Sequence, residues 1–91
     1  MNNKTRKQLT KISEKIYDLA NEIEQLRCQL EEIRDEEQDK YDNMPESLQD
    51  AEQGCRMQEG IDALEDINCN LDSLVSELFD ATNDIDHVTE I

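Results

Sequence analysis

Between Leu9 and Ile33 an apolar residue falls at every third or fourth position: Leu9, Ile12, Ile16, Leu19, Ile23, Leu26, Leu30 and Ile33. Strict alternation of three- and four-residue steps is the pattern of an α-helix that shares one apolar seam with another helix. With Leu9 as position a of a heptad, Leu9, Ile16, Ile23 and Leu30 occupy a. Ile12, Leu19, Leu26 and Ile33 then occupy d. The pattern fades at Glu37 and Lys40, but Glu, Gln and Lys are strong helix formers, so a helix is expected over about 5–41. Residues 1–4 read as a disordered lead, with Thr5 as the helix cap.

One punctuation mark interrupts the chain. In Asp42-Asn43-Met44-Pro45-Glu46, Pro45 bars a continuing helix and biases Met44 away from helical dihedrals. Asn43 or Met44 is the expected N-cap of the next helix, with Asn43 and Glu46 at capping-box spacing. The chain therefore turns at 42–45 and returns as a second helix over about 46–88. That helix starts weakly, and a bend is expected near 54–60, where Gly54 and Gly60 fall. Gly60 is also a place where a facing backbone could approach.

From Met57 the heptad is firm again, with Met57, Leu64, Leu71, Leu78 and Ile85 at a. Gly60, Ile67, Leu74, Ala81 and Val88 stand at d. Ile61, Val75 and Phe79 lie outside both series and widen the apolar stripe beyond what one partner helix covers. The fold expected is an all-α antiparallel two-helix hairpin forming one domain over 1–91. Ile61, Val75 and Phe79 are the expected interface of a homodimer, most simply a four-helix bundle.

Charge is unevenly spread over a chain of net charge −15. Residues 1–30 hold six Lys/Arg against four acids, and residues 31–66 hold fourteen acids against Arg34, Lys40 and Arg56. Residues 67–91 hold six acids and no Lys or Arg. In an antiparallel hairpin the basic start lies beside the acidic end, whereas parallel association would oppose like charges. Most of such a surface repels nucleic acid and anionic membrane, so neither is an expected partner. No run approaches the roughly 18 apolar residues of a membrane span, and no secretory signal is visible.

Residues that could carry chemistry are poorly placed for it. The carboxylates lie on helix faces open to water, not in the shielded pocket that acid–base work needs. Ser13, Ser47, Ser73 and Ser76 lack a nucleophile context, and His87 is the only histidine. Cys28, Cys55 and Cys69 form no CxxC pair and read as reduced thiols; Cys28 and Cys69 lie at outer heptad positions. A chain with three aromatic residues cannot wall a deep pocket. Neither an enzyme nor a metal or cofactor site is expected.

The acids remain to be explained. Solubility and insulation from unwanted coiled-coil partners is one reading. A decoy for nucleic acid is another: residues 57–91 hold ten acids, one per ~5 Å of helix. Duplex DNA has one charge per ~1.7 Å of axis, so a single hairpin mimics it only partly.

The segment Arg34–Gly54, RDEEQDKYDNMPESLQDAEQG, resembles a segment of small uncharacterised helical proteins of phages and mobile elements. The shared piece is an acidic helix end, an aromatic residue and D-N-M-P-E-S-L-Q, about a fifth of the chain. The resemblance implies a phage or mobile-element accessory protein in a bacterial cytoplasm, and it carries no functional residues. With that origin, the first functional expectation is a non-enzymatic module that occupies a basic surface of a host protein, such as a nucleic-acid-handling or defence protein. Tyr41, Met44 and Leu48, with Asp35, Glu36, Asp39, Asp42, Glu46 and Asp50, are its candidate contact residues. A bundle-end plug is the structural reading of the three apolar ones. The alternative function is a coiled-coil assembly or scaffold protein whose work lies in its apolar faces.

Overall fold

The structure, a computed structural model, describes residues 1–91 and is entirely helical: α1 (Asn3–Asp42), α2 (Glu46–Gln49) and α3 (Glu52–Glu90). The long α1 and α3 pack on each other as the arms of a hairpin. The cap of α1 is Asn2 rather than Thr5: its Oδ1 accepts the Thr5 N–H at 2.8 Å. An Asn side chain three residues before a free amide satisfies one of the donors a helix start leaves over.

The reversal is built from backbone groups. Pro45 sits at the head of α2 in an extended conformation (φ −57°, ψ 145°) with no side-chain cap, so the Asn43–Glu46 capping box does not form. The Pro45 carbonyl instead accepts the amides of Leu48 and Gln49 at 2.9 and 3.1 Å. Gln49 folds back, its Nε2 donating at 2.8 Å to the Tyr41 carbonyl, which also accepts the Met44 amide at 3.1 Å. The interruption on the return falls at Asp50–Ala51, ahead of the two glycines, and α3 then runs unbroken through Gly54 and Gly60.

Gly54 earns its place by contact. A Cβ there would run into the Gln49 backbone, whereas a Cβ at Gly60 would meet open space. Close backbone approach therefore belongs to Gly54, not to Gly60.

The chain divides into two compact units, Met1–Gln25 with Leu71–Ile91, and Leu26–Asn70. In the first, the contact between α1 and α3 runs through Ser13 and Ala20 on one side and Val75 and Thr82 on the other, all buried. Ser13 Oγ donates to Asp86 Oδ1 at 2.9 Å, with the Thr82 carbonyl at 3.4 Å. Opposition of Ser13 and Thr82 in antiparallel helices places Ala20, two turns on, opposite Val75. Tyr17 and Phe79 meet beside this line, ring centroids 5.5 Å apart and tilted by 54°.

In the second unit Arg27 Nη1 donates to Asn68 Oδ1 at 3.2 Å, which places Arg34 opposite Ile61 and Tyr41 opposite Gly54. Ile61 is buried there, and Arg34 carries its guanidinium on to Glu65, Nη1 to Oε1 3.0 Å.

These contacts correct the expected apolar seam. The residues at a are half-buried throughout both long helices, but those at d on α1, Ile12, Leu19, Leu26 and Ile33, are exposed. The most buried line on α1 is the position four after a, which carries the buried Ser13 and Ala20 and then the half-buried Arg27 and Arg34. Small side chains let backbones come near, and interaxial distance follows the side chains at the contact. The Leu and Ile at d are turned aside by that choice.

Two kinds of substitution test this packing. Gly54→Ala is expected to destabilise the fold by about 1–3 kcal/mol, the cost of overpacking, while Gly60→Ala raises stability by up to about 1 kcal/mol through helix propensity. Ala20→Leu is expected to cost about 1–3 kcal/mol for the same reason as Gly54→Ala. Thermal and urea unfolding followed by circular dichroism reads all three; equal effects at the two glycines would contradict the packing described.

Candidate interaction surface

Three surfaces hold the side chains singled out from the sequence. The first is the turn end. Tyr41 and Met44 are half-buried and Leu48 is exposed, while Asp35, Glu36, Asp39, Asp42, Glu46 and Asp50 are all exposed. Tyr41 lines a shallow hollow with Gln49, Asp50, Cys55 and Gln58. Its backbone carbonyl accepts the Gln49 side-chain amide at 2.8 Å.

The charges at this end are partly matched. Arg34 bridges Asp35 at 3.2 Å as well as Glu65, Lys40 Nζ lies 2.9 Å from Glu37 Oε1, and Gln38 donates to Asp42 at 3.0 Å. The hydrogen bond to the Glu37 carboxylate, then its charge and that of Glu36, hold the Lys40 ammonium above its ordinary pKa of 10.5.

The second surface is the set expected to form a dimer interface, and the structure redistributes it. Ile61 and Val75 are buried inside the single chain, where they face α1 and are not available to a second molecule. Phe79 is half-buried against Tyr17. The apparent excess width of the second helix is used by the hairpin itself.

The third surface was not singled out from the sequence. The α1 residues Ile12, Leu19, Leu26 and Ile33 are 49, 54, 56 and 48% exposed, and Ile67 and Leu74 of α3 are 45 and 39% exposed. In the first unit Ile12, Leu19 and Leu74 share one side of the contact, because Tyr17 and Phe79, which lie on the other side of it, touch each other. A regular file of large apolar side chains open to water is uncommon on a monomer, where scattered single ones are the norm. Its signal in the sequence is the second seven-residue series, Ser13 and Ala20 against Val75 and Thr82, whose small side chains mark the line of closest approach.

Little else is arranged for chemistry. Thr10, Ser13, Tyr17, Thr82 and Asp86 border an open hollow in the first unit, where the Ser13 hydroxyl is engaged by Asp86. No group of three or more His, Cys, Asp and Glu residues is gathered to hold a metal ion. Cys28, Cys55 and Cys69 are exposed and in no disulfide. No helix is long and apolar enough to cross a membrane. No family model, curated protein or solved structure matches the chain.

The Lys40–Glu37 pair has a defined pH dependence. A raised folded-state pKa means that its contribution is whole below the ordinary lysine value and is lost as pH rises through the raised one. Glu37→Gln is expected to lower the Lys40 titration measured by NMR, with little effect on thermal stability at neutral pH because the pair is exposed.

Proposed function

We propose that this protein is a non-catalytic coiled-coil association module whose working surface is the exposed d face of its helices. The observation that carries the reading is the file Ile12, Leu19, Leu26 and Ile33 on α1, with Ile67 and Leu74 on α3. In a helical bundle these are the positions that a further helical layer covers. Fully burying a Leu or Ile side chain is worth roughly 1.5–3 kcal/mol, and each of these residues has about half of that still to gain. The mode is that of helices laid face to face, which needs no pocket and no catalytic group.

A second reading, occupation of a basic surface of a host protein, draws on the turn end. Its six candidate acids, Asp35, Glu36, Asp39, Asp42, Glu46 and Asp50, are all exposed. Such a contact would act through charge complementarity and long-range steering, in the bacterial cytoplasm if the chain has the phage or mobile-element origin its turn segment implies. Partial mimicry of DNA is the form this reading takes against a nucleic-acid-handling target.

One experiment separates the readings. The full chain is immobilised and exposed to bacterial lysate supplemented with a differently tagged copy of the chain. It is compared with Leu19→Gln/Leu26→Gln and with a variant in which Asp35, Glu36, Asp39, Asp42, Glu46 and Asp50 become Asn or Gln. Retained proteins are expected to be lost with the apolar variant and kept with the neutralised one. The reverse outcome transfers the function to the acidic end.

A further inference from the structure

We infer that the partner covering the d face is a second copy of this chain, lying antiparallel, with α1 against the partner's α1 about a twofold axis between Leu19 and Leu26. The inference rests on the reading of that face as an association surface and adds the identity and orientation of its occupant.

The first observation is the order of the residues. A twofold interface is isologous, so the same patch must complement itself when reversed. Along α1, one uninterrupted helix, the exposed series is Ile12, Leu19, Leu26, Ile33, the same read in either direction. The reversal sets Ile12 opposite the partner's Ile33 and Leu19 opposite the partner's Leu26, matching side chains of equal size layer by layer.

The second observation is charge. Lys4, Lys7, Lys11 and Lys15 occupy the start of α1, and Glu32, Asp35, Glu36 and Asp39 lie toward its end, all exposed. An antiparallel copy sets each basic segment against the acidic segment of the other chain. A parallel copy would align the two acidic segments, in a chain already at −15. Like charges brought together select against that orientation, and opposite charges select for the reversed one.

Orientation is read by distance. In a Cys28→Ser/Cys55→Ser/Cys69→Ser background, whose replaced thiols are exposed, a spin label is placed at Lys11→Cys or at Gln25→Cys and measured by pulsed dipolar spectroscopy. In the antiparallel dimer the axial offset between the two copies' labels is about 35 Å at position 11 and under about 10 Å at position 25, at ~1.5 Å per residue. A markedly longer distance at position 11 supports the proposal; similar distances at both positions mean a parallel pair and overturn the orientation while leaving the association surface intact. Sedimentation equilibrium of the unlabelled chain is expected to show a dimer whose Kd rises at least tenfold in Leu19→Gln/Leu26→Gln, with helicity unchanged. A monomer at every concentration, with no dipolar signal, overturns the second copy as occupant. The association reading itself fails separately, if proteins retained from lysate survive the same apolar substitutions.

Discussion

The structure depends on how closely two helices can approach. Ser13 and Ala20 on α1, and Val75 and Thr82 on α3, place short side chains along the line of contact, so the backbones meet there. Larger residues at those four positions would force the axes apart. The contact is also polar in part: Ser13 reaches Asp86 and Arg27 reaches Asn68. A buried hydroxyl without a partner would cost roughly 1–3 kcal/mol, and the Asp86 carboxylate removes that cost for Ser13. The half-buried residues at a complete the contact on one flank, and Tyr17 with Phe79 completes it on the other.

What the contact line excludes becomes the surface. Rotating α1 so that Ser13 and Ala20 face α3 turns Ile12 and Leu19 outward; a helix cannot present all three columns to one neighbour. The exposed d face is thus a consequence of the close seam, and the functional reading follows from the same geometry. The turn follows from it as well. Bringing two long helices together at short range requires a compact reversal, which is met by the backbone acceptor of Pro45, the Gln49 side chain on the Tyr41 carbonyl and a residue without Cβ at position 54.

Charge acts at a different level. The exposed pairs, Arg56 with Glu52 and Lys40 with Glu37, each add little to stability. Their sum is nonetheless directional, because cations gather at the start of α1 and acids at its end. Such asymmetry selects among alignments that apolar residues alone leave nearly equivalent.

Much of this architecture is legible in the residues themselves. Steps of three and four from Leu9 to Ile33, the isolated Pro45 and the renewed heptad from Met57 determine helical arms and a reversal, because these follow from local periodicity and backbone sterics. Local signals do not say which side of an amphipathic stripe meets which neighbour. The a, d and following columns of an apolar helix are all candidates for the interior, and the choice depends on side-chain volumes on both helices at once. Val75 reads as surplus until Ala20 is seen to make room for it, and Ile61 until it is seen buried within the chain. Only the tertiary structure decided that the small-residue column is the inside of the hairpin and that Ile12, Leu19, Leu26 and Ile33 are its outside, since distance of approach is a property of two helices and neither one encodes it alone.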